Sequence, residues 1–440
     1  MMTSAMADRD APPGLVQTVI LGVQHALAMD VYVVPFLVGT LLGLPAADTA
    51  SLIGATFLAA GLATLVQSQL CLRMPVVQGP SYVPIGAVVA IAHDAAGGGI
   101  AALGGVFGAL IPGAVLMVLL AWPLRLFHRI VARLVPPLAG GAIIVVVGIT
   151  LMPVALQADV LGGDRAALGG NILLALASGA FAVGAGLGGI ALGARGRWLR
   201  AGSVLLALAG GSVVAAFAGR FDGSAIASAP WLQRPLLAGI DVKLRLSPDA
   251  ILTMLAVYAV VLAETTGTWL AVGAVTGETL RPGQYDRGAA GEGLGCLVSA
   301  LLCSLPVTGY ASNAGIVALT GIADRRVFAA AGVALFCFRL CGKLAAVIAA
   351  VPAPVIGGVF GVLCVVIVMN GIRILAALRL DERDMMVAGL PILLGLGTAL
   401  LPPEFLAGLP RLARCLLGSA TAVGAASAIV LNLLLPGRRG

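Results

Sequence analysis

The residues best able to bind a polar ligand lie at 305–321, LPVTGYASNAGIVALTG, inside a very apolar chain. The Pro-Val-Thr-Gly run at 306–309 favours extended backbone followed by a sharp turn. Tyr310, Ser312 and Asn313 then supply polar groups where a helix would begin, and Ser and Asn are good N-caps. A helix that begins in mid-membrane leaves free N–H groups, which a bound polar ligand can satisfy. The alternative is a kinked membrane helix whose Ser and Asn side chains bond to its own backbone.

An acidic residue, Glu264, stands in the apolar segment LAETTGT at residues 262–268. A carboxylate at that depth is costly unless it is paired, is protonated or faces a polar cavity. A carboxyl group in such surroundings suits a carrier that gains and loses a proton during transport. Thr268 lies one turn further along the same helical face, and Thr265 is the next residue in the chain. The alternative is a structural carboxyl group that bonds to these neighbouring hydroxyls.

Three further polar residues, Gln24, His25 and Asp30, lie in the first apolar run, 15–44. If this span opens near Pro35, Asp30 lies at mid-depth and shares the proton role with Glu264. It could equally cap or brace the packing of the first helix. We interpret Gln24 and His25 as a polar network between helices, with a direct ligand or proton-carrying role for His25 as the less favoured option.

The composition excludes a soluble protein. The 440 residues are 60% hydrophobic and 10% charged, with a mean hydropathy of +1.08, so too little charge is present to coat a soluble surface. Lys and Arg number 26 against 19 Asp and Glu, but this surplus sits in short loops, as in membrane proteins. We find no phosphate loop, catalytic triad spacing or metal motif, so we expect no enzyme activity, no cofactor and no metal.

Apolar runs of about 20 residues, the length that crosses a bilayer, recur along the chain. The predicted spans are 15–44, 50–70, 101–121, 134–156, 171–193, 201–219, 250–271, 289–303, 327–350, 354–373, 385–401 and 412–435. Two shorter apolar pieces, 81–92 and 312–321, each follow a Pro-Val and Gly run, and we expect half-helices there. The sequence therefore predicts an all-α polytopic membrane protein with fourteen transmembrane segments.

The arginines indicate the orientation. With the N-terminus inside, the clusters at 125–133, 195–200, 281–287, 325–326 and 373–383 fall on the inner side. Fewer cations fall on the outer side, and most of those lie in or beside the long segment 220–249. Because positive residues favour the cytoplasmic side, we expect both termini to be cytoplasmic.

Two short motifs occur twice in the same order. Residues 74–81, MPVVQGPS, resemble 305–312, LPVTGYAS, and residues 137–141, PLAGG, resemble 354–358, PVIGG. Seven crossings per half is an odd number, so the two halves have opposite orientations, and paired interrupted segments indicate a transporter's binding site. The predicted domains are a cytoplasmic tail at 1–14, a first inverted repeat at 15–220, an extracytoplasmic connector at 221–249, a second inverted repeat at 250–435 and a cytoplasmic tail at 436–440.

Five of these pieces together resemble the nucleobase–ascorbate transporter family, which includes xanthine and uracil permeases. They are the Gln-His start at Gln24–Met29, the Ala-Glu-Thr-Thr-Gly element at Ala263–Gly267, the Asn-x-Gly-x4-Thr signature at Asn313–Thr320, the Ala-Asp-Arg-Arg-Val run at Ala323–Val327 and the Pro-Val-Ile-Gly-Gly run at Pro354–Gly358. The likeness extends from about residue 15 to residue 435.

The resemblance implies two inverted seven-segment repeats divided into core and gate domains, with two short strands and half-helices at the membrane centre. It also implies nucleobase uptake, usually with a proton, and commonly a homodimer. Glu264 matches the substrate-binding glutamate, Tyr82 an aromatic residue whose N–H meets the base, and Tyr310 and Ala311 residues beside the base. The expected substrate contacts are Glu264, Ser81, Tyr82, Thr268, Tyr310, Ala311, Ser312 and Asn313. The expected proton-coupling residues are Glu264, Asp30 and His25.

Three positions depart from the family pattern. Ser312 stands where uracil carriers have a second glutamate and xanthine carriers a glutamine. Thr268 replaces a common histidine or aspartate, and Cys364 falls where some relatives carry a gate tyrosine. The resemblance therefore leaves both the identity of the base and the proton route open.

The resulting hypothesis is a proton-coupled nucleobase importer in a bacterial inner membrane. One rival is an anion carrier of the same fold, of the sulfate or bicarbonate type, which also uses opposed helix N-termini. An acid beside the site argues against it, since the acid would repel the anion. The other rival is a channel or scaffold that moves nothing uphill.

Overall fold

The structure, a computed structural model, is mostly helical. It describes residues 14–29, 31–93, 99–134, 136–156, 160–161, 167–193, 196, 199, 202–233, 243–310, 317, 323–409, 413, 417 and 420–435. The helices of the first half are α1 Leu15–Ala28, α2 Val33–Leu41, α3 Ala46–Leu65, α4 Ile85–His93, α5 Leu103–Ala121, α6 Phe127–Leu134, α7 Pro137–Ala155, α8 Leu168–Ala191 and α9 Ser203–Phe217. A π-helical turn, Val66–Cys71, extends α3, and a 3₁₀ turn, Gly99–Ala102, precedes α5.

The second half is also mostly helical. Its helices are α10 Ser224–Ser228, α11 Pro248–Thr276, α12 Pro282–Leu301, α13 Arg325–Leu340, α14 Gly342–Ala349, α15 Ala353–Ala376, α16 Glu382–Ala399, α17 Pro403–Ala407 and α18 Ala420–Leu434. One short strand lies in each half, β1 at Gln78–Pro80 and β2 at Val307–Gly309.

Five helical stretches within the described residues are long and apolar enough to cross a membrane, and a sixth results if α13 and α14 form one bent span. The five are Ala46–Cys71, Gly99–Ala121, Leu168–Ala191, Pro248–Trp269 and Ala353–Ala376. Shorter apolar helices accompany them, including Pro137–Thr150 and Ser203–Phe217. The chain is therefore a multi-pass membrane protein, and the count of fourteen segments stays a prediction.

The two strands pair with each other in the interior of the molecule. They run antiparallel, with Gly79 opposite Thr308, and every residue of both strands is buried. The pairing continues past each end, because Ser81 N donates to Pro306 O at 2.8 Å and Tyr310 N donates to Val77 O at 3.2 Å. The extended backbone predicted at 306–309 is confirmed.

The half-helix predicted at 312–321 lies outside the described residues except for Val317, which is helical. The helix predicted at 81–92 begins only at Ile85. Ser81 Oγ instead accepts the N–H of Val83 at 3.2 Å, which makes a turn between the strand and the helix. The prediction of a helix from residue 81 is therefore wrong by one turn.

Two predicted single spans are broken. The first run, 15–44, divides into α1 and α2, and the interruption precedes Pro35, which lies in the first turn of α2. A proline is tolerated there because its missing N–H would have no partner within the helix. The run 327–350 divides at Cys341, where α13 and α14 meet at a bend of 80°.

The bend at Cys341 is where the connector between the halves docks. Lys343 Nζ donates to the carbonyl oxygens of Ile226 at 2.5 Å and Ala227 at 2.9 Å, and the Arg339 guanidinium donates to the side chain of Gln233. Gln233 N also donates to Leu340 O at 2.8 Å. Arg339 and Lys343 therefore hold the connector, from either side of the bend.

Close approach of helix backbones fits the high glycine content. A Cβ on Gly61 of α3 would lie 2.7 Å from the carbonyl oxygen of Gly332 of α13, and a Cβ on Gly332 would lie 2.9 Å from Gly61 O. The backbones themselves touch, so neither position has room for a side chain. Small residues at such crossings let helices pack closely in lipid.

We expect Gly61→Ala to lower the thermal unfolding midpoint of the purified protein, because the added methyl group collides with backbone and overpacking costs about 1–3 kcal/mol. Gly184→Ala in α8 is the matched control, since nothing lies within 4 Å of a Cβ there. Size-exclusion analysis after heating in detergent measures both variants. Equal midpoints for the two variants would contradict the close crossing.

Candidate functional site

An acid and a hydroxyl from the two halves meet beside the strand pair. Ser81, the residue after β1, donates its Oγ hydrogen to Oε2 of Glu264 at 2.7 Å. Glu264 lies in the middle of α11 and keeps some accessible surface, whereas Ser81 is fully buried. The Glu264 carboxyl group therefore has a polar partner from the other half of the chain, and its predicted roles in substrate binding and proton coupling stay predictions.

Two threonines of α11 fix the second strand. Thr268 Oγ1 donates to the carbonyl oxygen of Gly309 at 2.8 Å, and Thr265 Oγ1 accepts the N–H of Gly309 at 3.4 Å. Thr268 also lies 3.2 Å from the carbonyl oxygen of Glu264, in its own helix. The hydroxyl of Thr268 therefore anchors β2 to α11, and its predicted contact with substrate stays a prediction.

Aromatic rings line the strand pair. The hydroxyl of Tyr310 donates to Pro80 O at 3.0 Å, and its ring covers Gly79, where a Cβ would lie 2.6 Å from the ring. The Tyr82 ring lies between Tyr310, with ring centres 6.5 Å apart, and Phe360 of α15, 5.8 Å away. Both pairs are near parallel, at 28° and 27°. Tyr82 thus joins the strand region to α15.

A second buried acid, Glu292 of α12, lies close to Glu264 and is 1% exposed. Gln67 Nε2, in the π-helical turn after α3, donates to Glu292 Oε2 at 3.1 Å and to Gly288 O at 2.9 Å. The side chains of Thr265, Thr308 and Gln78 also surround the carboxyl group. Within the described part of the chain, the other carboxyl oxygen, Oε1, is buried without a hydrogen bond.

The sequence analysis missed Glu292, although the signal was present. It lies inside the predicted span 289–303, so the rule that drew attention to Glu264, a carboxyl group in an apolar run, applies to it equally.

Four other predicted site residues, Asp30, Ala311, Ser312 and Asn313, lie outside the described residues. His25 is fully buried on α1, and its ring packs against Phe328 of α13 with 4.8 Å between the ring centres. Its proton-coupling role stays a prediction. Cys364 is buried one turn after Phe360, on the helix that faces Tyr82.

The fold matches that of solved membrane proteins. Among solved structures, the transmembrane domain of the cyanobacterial bicarbonate transporter BicA superposes with a TM-score of 0.57 at 15% sequence identity, covering 95% of this chain and 97% of that one. At this identity the likeness shows the fold alone. Together with the apolar helices and the paired strands, it defines the protein as a multi-pass membrane protein of this fold.

Sequence comparison identifies the family. Residues 16–404 match the Permease family, Xan_ur_permease. The uric acid permease PucK of Bacillus subtilis is 30% identical over 94% of this chain and 95% of its own length. The xanthine permease of Bacillus subtilis is 29% identical over 96% of this chain and 94% of its own length. The chain therefore belongs to the xanthine/uracil permease family and is not an enzyme, which confirms the resemblance drawn from its motifs.

We expect Thr268→Val to destabilise the protein, because it leaves the buried carbonyl oxygen of Gly309 without its side-chain donor, at a cost of about 1–3 kcal/mol. Thr253→Val is the matched control, since the buried Thr253 hydroxyl donates to Asp249 O in its own helix and the described residues offer it no other partner. Thermal unfolding in detergent compares the two. If both variants unfold at the same temperature, Thr268 does not anchor the strand.

Proposed function

We propose that this protein imports a nucleobase, a purine or pyrimidine of the xanthine or uracil type, by proton symport with alternating access. The names of the relatives, uric acid and xanthine permeases, support the substrate class. The observation that carries the proposal is the contact of Ser81 with Glu264, because it places an acid beside the two paired strands.

The site suits a flat molecule with N–H groups on its edge. The Glu264 carboxyl group can accept an N–H of a base, while Ser81 holds it in place. The rings of Tyr82 and Phe360 offer faces against which a planar ligand packs. The backbone N–H groups of Tyr82 and Ala311 and the side chains of Ser312 and Asn313 complete the proposed contacts, with Tyr310 beside the base.

Proton coupling is proposed to involve both buried acids. Glu264 and Glu292 lie close enough to interact electrostatically in an apolar region, where two negative charges together are costly. A negative charge on one carboxyl group therefore disfavours a negative charge on the other. Binding of a base to Glu264 changes this balance and so links the proton to transport. Asp30 and His25 remain candidates for the path to the cytoplasm.

The same proposal includes the topology. The antiparallel strand pair, with one strand from each half and matching hydrogen bonds at its two ends, supports two inverted repeats of seven segments, 15–220 and 250–435. Arginine-rich inner loops support cytoplasmic termini in a bacterial inner membrane. Core and gate domains and a homodimer follow from the family resemblance.

An anion carrier of the same fold is the less favoured reading. The likeness to a bicarbonate transporter shows the fold, and the carboxyl group of Glu264 beside the strands opposes an anionic substrate. A channel would not require an acid inside the membrane, where an ionisable side chain is energetically costly.

The direct test is Glu264→Gln. We expect it to abolish concentrative uptake of radiolabelled bases into proteoliposomes with an imposed pH gradient, because the amide neither exchanges a proton nor carries charge. Glu404→Gln, at an exposed position of α17, is the control and should transport normally. A protonophore should abolish accumulation by the unaltered protein, which separates a symporter from a channel. Unchanged accumulation of every base by Glu264→Gln would refute the proposal.

Glu292→Gln tests the second acid. We expect the variant to bind and exchange base across the membrane, since Glu264 and Ser81 are intact, but to lose accumulation driven by the pH gradient. Counterflow of labelled base without a gradient, measured beside gradient-driven uptake, distinguishes the two steps. Normal gradient-driven accumulation would exclude Glu292 from coupling, whereas loss of counterflow as well would assign it a structural role.

A further inference from the structure

A large cleft opens away from the strand pair, where the end of α5 meets the start of α12. It has a volume of about 1070 Å³. Its lining residues are Leu70, Cys71, Val118, Ala121, Trp122, Arg125, Glu278, Thr279, Arg281, Gly283, Gln284, Asp286, Arg287, Ala290 and Leu294. It shares none of them with the proposed nucleobase site, so it needs an explanation of its own.

The cleft is positively charged. Arg125, Arg281 and Arg287 are all exposed, and none has a carboxylate within 4 Å among the residues that the structure describes. The cleft also contains two acids, but Asp286 faces His128: its Oδ1 accepts the backbone N–H of His128 at 3.1 Å, and its Oδ2 lies 3.0 Å from His128 Nδ1. The cleft therefore contains three guanidinium groups and two acids. Among the described residues, Asp286 pairs with a basic side chain and Glu278 does not.

One flank of the cleft is apolar and exposed. Leu70 is 65% exposed, Trp122 63% and Leu294 38%. Tryptophan is enriched at the boundary between lipid and water, where its ring is amphipathic. Cations next to exposed apolar side chains on the outside of a membrane protein match a molecule with an anionic end and hydrocarbon chains.

We propose that the cleft binds an anionic phospholipid of the inner leaflet. Arg125, Arg281 and Arg287 would hold its phosphate, since guanidinium groups pair with phosphate through two parallel hydrogen bonds. The acyl chains would follow Leu70 and Trp122 along the outside of the helices. In the topology proposed above, this end of α5 lies on the cytoplasmic side, where anionic lipids bind basic pockets between helices.

Native mass spectrometry of the detergent-purified protein with phosphatidylglycerol tests the proposal. Removing three cations with Arg125→Gln, Arg281→Gln and Arg287→Gln together should weaken binding about a hundredfold, since each cation near an anionic surface contributes about fivefold. The matched control removes Arg326, Arg373 and Arg379, exposed cations outside the cleft on the same predicted side, and should bind as the unaltered protein does. Equal loss in both triple variants would overturn the site.

Glu278→Gln is a second test, because its predicted effect is tighter lipid binding, which a misfolded variant would not show. Because it removes the remaining free acid, it should tighten phosphatidylglycerol binding about fivefold. Weaker or unchanged binding would contradict the charge argument.

Two competitors identify the source of the phosphate. Glycerol 3-phosphate in excess should not displace the lipid, and phosphatidylcholine should bind far more weakly than phosphatidylglycerol. Displacement by glycerol 3-phosphate would make the cleft a soluble-anion site, and equal binding of phosphatidylcholine would make it a non-specific lipid contact. Either result would refute the proposal.

Discussion

The hydrogen bonds between β1 and β2 are the constraint on which the rest of the structure depends. Backbone that leaves a helix inside a membrane exposes N–H and C=O groups, and lipid offers them no partner. Each strand supplies the partners that the other lacks, and the bonds from Ser81 to Pro306 and from Tyr310 to Val77 extend the pairing at both ends. Neither interruption would be stable alone, which explains why the motif occurs twice.

Side chains from the surrounding helices stabilise the strand pair. Thr265 and Thr268 of α11 bond to the backbone N–H and the carbonyl oxygen of Gly309, and the Tyr310 ring covers Gly79. The Glu292 carboxyl group lies near Thr308 and Gln78 of the strands and accepts a hydrogen bond from Gln67. The polar centre of the molecule is thus built by side chains from several helices and surrounded by apolar ones, so it can hold acids at a depth where they are otherwise costly.

Much of this arrangement could be predicted from sequence. The Pro-Val-Thr-Gly run predicted extended backbone because its residues disfavour helix, and the repeated motif indicated that the two interruptions belong together. Glu264 was found because one carboxyl group in an apolar run is conspicuous. Membership of the family followed from the combined motifs. These are local signals, readable within a few residues.

Apart from Glu292, the features that were missed depend on contacts between distant residues. Arg339 and Lys343 are four residues apart, which indicates one helical face, but both bind a connector more than a hundred residues earlier and the helix bends between them. The sequence around Arg339 and Lys343 does not indicate that they bind the connector. The start of α4 at Ile85 likewise depends on the Ser81 side chain, which bonds both to Val83 N and to Glu264 in the other half.

The docked connector has a mechanical consequence. The segment after α9 runs from Arg220, whose guanidinium bonds to the side chain of Asn171 on α8 at 2.6 Å, to Ile226, whose carbonyl oxygen bonds to Lys343. Its two ends are therefore fastened to different helices, with only Phe221 to Ala225 between the fastenings. If α8 and α14 move relative to each other, this short stretch takes up the displacement, and its length sets how far they can travel before one fastening breaks.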